Sequence, residues 1–150
     1  MGSVVGQNML TAGTLLAHTS YTPSGGYLVN GTTLTALDAT HLSITFKTAK
    51  AGPGSTEIRL VSTFFGQVYT SGSQIYAGYT GTGAPGDSNR KKVLQSNSAD
   101  VLTDITFIYY AAGLTANTSY TWNLAGYAVG SCYMGDTGSL ITVEAFAGLS

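Results

Sequence analysis

The stretch HLSITFKT at 41–48 alternates strictly, with Leu42, Ile44 and Phe46 on one side and Ser43, Thr45 and Lys47 on the other. A period of two belongs to a half-buried β-strand, because successive side chains on a pleated backbone point to opposite faces. The pattern returns along the chain while helical spacing is nearly absent, so an all-β fold is expected. In TEIRLVSTFF at 56–65, Ile58, Leu60 and Phe64 share one side and Glu57, Arg59 and Val61 the other. In TDITFIYY at 103–110, Ile105, Phe107 and Tyr109 stand opposite the equally apolar Ile108 and Tyr110, so both faces of that strand are expected to be partly covered. Residues 119–124 place Tyr120, Trp122 and Leu124 on one face, which turns the sole tryptophan inward. SLITVEAFA at 139–147 sets Ile141, Val143 and Ala145 against Leu140, Thr142, Glu144 and Phe146. Weaker strands are expected around 14–18, 27–37, 67–69, 74–79 and 93–95.

Short strands at about ten-residue spacing, broken by Gly, Asn and Ser, point to an antiparallel β-sandwich of jelly-roll type. Pro23, Pro53 and Pro85 all lie in Gly-flanked loops, where they interrupt no strand. Charged residues make up 9% of the chain, against about a quarter in a typical globular protein. Polarity comes instead from Thr, Ser, Asn and Gly, a mixture that suits pleated surfaces and tight turns. At 150 residues the chain fits one domain. In the first 25 or so residues small and polar side chains break up any alternation. They read as an extended N-terminal arm, 1–25, ahead of a sandwich domain at 26–150. Val4, Val5, Met9, Leu10, Leu15 and Leu16 would be the arm's apolar anchors at an interface, and Leu42, Ile44, Phe46, Leu60, Phe107, Tyr120 and Trp122 the core.

The formal net charge of −1 gives no field that favours nucleic acid or an anionic membrane. Arg90, Lys91 and Lys92 form the one basic cluster and read as a solvated loop. Cys132 is alone, so no internal disulfide is possible, and no histidine or cation adjoins it in sequence to activate a thiolate. No run approaches the roughly 20 apolar residues of a membrane span, and the N-terminus lacks the pattern of a signal peptide. A soluble protein used without secretion is the expectation. GTGAPG at 81–86 matches G-x-G-x-x-G, yet no apolar helical stripe follows it and Pro85 sits inside it, so a loop is read and not a dinucleotide site. His18 and His41 have no metal-ligand spacing. Serines abound and Asp38 lies three residues before His41, which leaves a Ser-His-Asp set open on arithmetic, but nothing like G-x-S-x-G is present. Seven scattered acids suggest no carboxylate pair. The expectation is a protein with no enzymatic activity, cofactor, metal or small-molecule substrate. The ten tyrosines read as half-buried strand residues, some of them at sheet edges or subunit contacts.

Three stretches together, LTALDATHLSITF at 34–46, EIRLVS at 57–62 and GLTANTSYTWNLAGYAVG at 113–130, resemble a β-sandwich domain of small virion proteins of tailed phages that infect actinobacteria. Those proteins are capsid decoration proteins or minor tail components. The start GLT-x-x-TSYT is also similar to a strand start in fibronectin type III domains, but the strand count here exceeds a seven-stranded domain of about 100 residues. The resemblance implies a structural protein of the virion, a homotrimer assembled in the host cytoplasm that sits on the capsid surface, bound to the major capsid protein. The alternative is a minor tail or receptor-binding protein that stacks Tyr and Trp on host-surface saccharide.

Overall fold

Alternation at 43–47, 58–68, 101–111 and 141–147 becomes four of the strands in the computed structural model, which describes residues 13–29, 31–86 and 90–148. In chain order the strands are β1 (Leu15–Tyr21), β2 (Tyr27–Val29), β3 (Thr35–Ala36), β4 (Ser43–Lys47), β5 (Ile58–Val68), β6 (Gln74–Thr80), β7 (Lys91–Gln95), β8 (Val101–Ala111), β9 (Ser119–Val129), β10 (Cys132–Met134) and β11 (Ile141–Ala147). A 3-10 turn at Pro53–Ser55 is the one helical element among the described residues.

Two antiparallel sheets face each other. One runs β1–β11–β5–β8, with β10 and β2 continuing the β11 and β1 columns alongside the far end of β5. The other runs β4–β9–β6–β7, with β3 continuing the β4 column. Four strands on four in this order make a jelly roll, as the spacing of the strands led one to expect. Leu60, Phe64 and Val68 of β5, Phe107 of β8 and Val143 of β11 meet Leu42, Ile44, Phe46, Ile75, Tyr79, Trp122 and Leu124 from the other side, all of them buried. Burying each such side chain is worth about 1.5–3 kcal/mol, which is what closes the sandwich.

Two polar groups bridge the layers inside this core. The hydroxyls of Ser62 on β5 and Tyr79 on β6 are 2.6 Å apart, and both side chains are buried. Burial pushes the Tyr79 phenol far above its ordinary pKa, so it stays a neutral hydrogen-bonding group. Tyr79→Phe is expected to leave the Ser62 hydroxyl without a partner and to cost about 1 kcal/mol, read as a lower urea midpoint with an unchanged slope.

Three expectations need correction. Residues 15–21 are a strand of the sandwich and not part of an arm: β1 pairs with β11 from Leu15 beside Phe146 to Tyr21 beside Ile141. A bulge between Leu15 and Ala17 places two leucines in succession and hides the period of two. Of the proposed arm anchors, Leu15 and Leu16 therefore belong to the sheet, while Val4, Val5, Met9 and Leu10 lie outside the described residues. Tyr120 is half-buried at the rim of the core, because its hydroxyl reaches the turn before β9 and accepts a hydrogen bond from the Thr115 N–H at 2.8 Å. Finally, the described residues cover β8 on one face alone: Ile105, Phe107 and Tyr109 point in, whereas Ile108 and Tyr110 are 47% and 53% exposed.

Candidate functional site

The polar groups that sequence reading left open for chemistry are drawn into structural ties. Asp38 Oδ1 accepts the backbone N–H groups of Thr40 and His41 at 3.0 and 3.1 Å. Its Oδ2 accepts the Tyr27 hydroxyl at 2.8 Å and lies 2.8 Å from His41 Nδ1. The Tyr21 ring stacks on the His41 ring at 3.9 Å with 13° between the planes. Partial burial pushes the Asp38 carboxyl up, but the donors from His41, Tyr27 and the backbone outweigh it and hold the pKa below the ordinary value. The Tyr27 phenol is raised by burial, and then by its hydrogen bond to Asp38 and by that residue's negative charge. The group joins the end of β1, the start of β2 and the turn before β4. A carboxylate spent on four donors is a fastener. His18 lies apart from it on β1, opposite Glu144, and among the described residues no cluster of three or more His, Cys, Asp or Glu gathers.

GTGAPG turns out to hold the tryptophan. Gly81, Gly83 and Gly86 have φ of 135°, 74° and 71°, a region that suits glycine. A Cβ on Gly81 would run into the Thr121 carbonyl and the Trp122 side chain, and one on Gly83 into the Tyr120 ring. Between them the Thr82 carbonyl accepts the Trp122 Nε1–H at 2.9 Å. Gly83, Pro85, Tyr109, Tyr110, Leu114 and Trp122 line a cleft of about 220 Å³. Trp122 itself is fully buried, so it offers no ring face on which a sugar could stack. Cys132 is buried as well, and burial pushes its thiol up and away from a reactive thiolate. In the basic cluster, the Arg90 guanidinium lies over the rings of Tyr127 and Tyr76, 4.3 and 5.4 Å from their centroids, and Lys92 Nζ donates to Gln95 Oε1 at 3.0 Å.

What the fold leaves unsatisfied is a surface. Leu15, Leu28, Leu102, Ile108 and Tyr110 are among the large apolar side chains that stay exposed, each near half its area. Strand register puts all five on the outer face of the β1–β11–β5–β8 sheet and its β10–β2 extension. Leu15, Phe146, Arg59 and Tyr110 fall side by side across β1, β11, β5 and β8, with the Arg59 guanidinium 4.6 Å above the Phe146 ring. One pleat further along are His18, Glu144, Val61 and Ile108, followed by the hydroxyl row Ser20, Thr142, Thr63 and Thr106. Toward the far end, Leu28, Tyr133 and Leu102 form another row, apolar except for Gln67 between Tyr133 and Leu102. The outer face of the opposite sheet includes paired threonine hydroxyls, Thr45 and Thr121 at 2.8 Å, together with Asn123 and Lys92. An antiparallel sheet with one face in water ordinarily alternates apolar-in and polar-out. The β8 face breaks that rule, and contiguous exposed apolar area marks an interaction site.

No family model matches the chain, and no curated protein does. Among solved structures it is similar to Eiger TNF from S. frugiperda, at 12% identity and a TM-score of 0.49, over 93% of this chain and 96% of that one. It is also similar to PRD1 vertex protein P5, at 11% identity and a TM-score of 0.43, over 93% of this chain and 100% of that one. A structure of infectious bursal disease virus, Gx strain, aligns at 10% identity and a TM-score of 0.33, over 93% of this chain and 35% of that chain. The structures it resembles thus include viral ones. The order of the strands, and not these likenesses, carries the fold assignment.

Proposed function

We propose that the chain is a virion structural protein: a capsid decoration protein that binds the outer surface of a tailed-phage shell as an oligomer and stabilises it. The observation that carries the reading is the outer face of the β8 sheet, where apolar side chains from distant parts of the sequence align in rows that no other part of the described chain covers. Such a face gives a building block its adhesion, since burying it stabilises both the subunit and the assembly. The ionisable groups support the same reading, because Asp38, His41 and Cys132 are committed to packing. On this reading the major capsid protein is the partner, the virion surface the location, and the host cytoplasm the place of assembly.

A second reading, a minor tail or receptor-binding protein, draws on one feature. Tyr69 is 41% exposed and meets Tyr133 edge-on with ring centroids 5.2 Å apart, so it presents an aromatic ring on which a sugar could stack. Copy number separates the two. Quantitative mass spectrometry of purified particles is expected to find the chain in fixed ratio to the major capsid protein, whereas a few copies per particle would replace the decoration reading with the tail reading.

A further inference from the structure

We infer that the outer face of the β8 sheet is the contact between two copies of this chain, stacked face to face about a two-fold axis that runs along the Ser20–Thr142–Thr63–Thr106 row. The inference rests on the proposed role as an assembling virion protein and specifies how its copies meet. It follows from the spacing of the rows. Arg59 and Gln67 stand equally far from Thr63 along β5, and so do Tyr110 and Leu102 from Thr106 along β8. A rotation about the central row therefore lays one apolar row on the other: Tyr110 on the second copy's Leu102, Phe146 on its Tyr133, and Arg59 on its Gln67. Closer to the axis, Val61 falls on the second copy's Phe65. Small hydroxyl side chains occupy the axis itself, where each residue meets its own copy, and Thr63 and Thr142 already share a hydrogen bond at 2.6 Å.

The match is what an isologous contact requires, since one patch must be complementary to itself. Strands related by this axis run antiparallel, within the aligned class of sheet packing. Two of the charged positions are compatible with it, and Glu144 has His18 beside it across β11 and β1. Arg59 meets a neutral amide and keeps its stacking on Phe146. Asp104, which falls over Ile108 of the other copy, is on the edge strand, where its carboxylate reaches water. Area is sufficient too. The 11 residues of β5 span about 36 Å and four columns cover about 19 Å, so the face offers roughly 700 Å², close to the roughly 800 Å² per partner of a standard interface. A two-fold stack gives two copies, where the family resemblance implied three, and the subunit count decides between them.

The experiment uses the purified full chain. Light scattering behind size exclusion is expected to give twice the 15.5 kDa chain mass, and Tyr110→Asp, whose side chain is already half in water, is expected to return it to a single chain with an unchanged circular dichroism spectrum. A second variant reads the axis directly. Thr106→Cys is expected to link to its own copy through a short bis-maleimide, the native Cys132 being buried. A one-chain or three-chain mass for the unaltered protein, a folded Tyr110→Asp that keeps its mass, or a Thr106→Cys that does not link to itself would each overturn the stack. A paired protein missing from particles would instead remove the virion reading and leave the stack standing.

Discussion

Trp122→Ala is expected to destabilise the protein by about 3–5 kcal/mol, a large share of the roughly 5–15 kcal/mol that holds a domain of this kind folded. Three losses combine. The ring is fully buried, so its removal opens a cavity between two sheets that are held apart by their remaining side chains. Its edge-on contact with Phe46, at 5.1 Å and 87°, and its contact with Tyr120 at 5.7 Å disappear. The Thr82 carbonyl loses the indole N–H that ties the 81–86 loop to β9. Urea unfolding followed by circular dichroism measures the total, since the substitution removes the fluorophore. Trp122→Phe separates the parts: it keeps most of the ring volume and lacks the donor, so its cost is expected to be about 1–2 kcal/mol. A Trp122→Ala protein within 1 kcal/mol of the parent, by the scale of large-to-small core substitutions, would mean that the ring is not the keystone of this core.

Asp38→Ala is the second large change. It removes the acceptor of four hydrogen bonds and frees Tyr27, His41 and the turn before β4 from one another. Hydrogen bonds to a charged group are worth more than neutral ones, but this carboxylate is partly in water, so the expected loss at neutral pH is about 2 kcal/mol. The pH dependence follows from the direction of the shift. A carboxyl whose folded pKa lies below its unfolded value, about 3.9, contributes stability that is complete well above that value and is lost as pH falls through the folded pKa. The difference between parent and Asp38→Ala is therefore expected to hold steady from neutral pH down to about pH 5 and to shrink below about pH 4. Urea midpoints at a series of pH values test this, and a gap that widened on acidification would contradict the assignment.

Much of this architecture is legible in the residues. The alternation of 42–46, 58–64 and 141–147 identifies strands and their inward faces, because each buries one side and wets the other. Where legibility fails, the cause is local. The bulge at Leu16 breaks the period and leaves β1 legible only as a weak strand around 14–18, β2 and β3 merge into a single expected strand at 27–37, and β10 is too short to show a period at all. In GTGAPG, spacing reveals a loop, but its role depends on Thr80 pairing with Asn123, which delivers the loop to Trp122. Asp38 and His41 are visibly close in sequence, whereas the Tyr21 and Tyr27 that complete their group come from two other strands. The apolar second face of β8 is plain in TDITFIYY; that β8 is an edge strand whose second face no described residue covers emerges from the pairing and the exposure together.

The pairing of Leu15 with Phe146, and of Val29 with Cys132, has a kinetic consequence. Neither column can close until nearly the whole described chain is available, and sandwiches built on such distant pairings fold in milliseconds to seconds, not microseconds. During that interval β5 and β8 can pair first, and their apolar residues stand open before β11 and β10 arrive to complete the rows. Refolding at high concentration should then favour tangled aggregates over ordered particles, and slow dilution should rescue the yield.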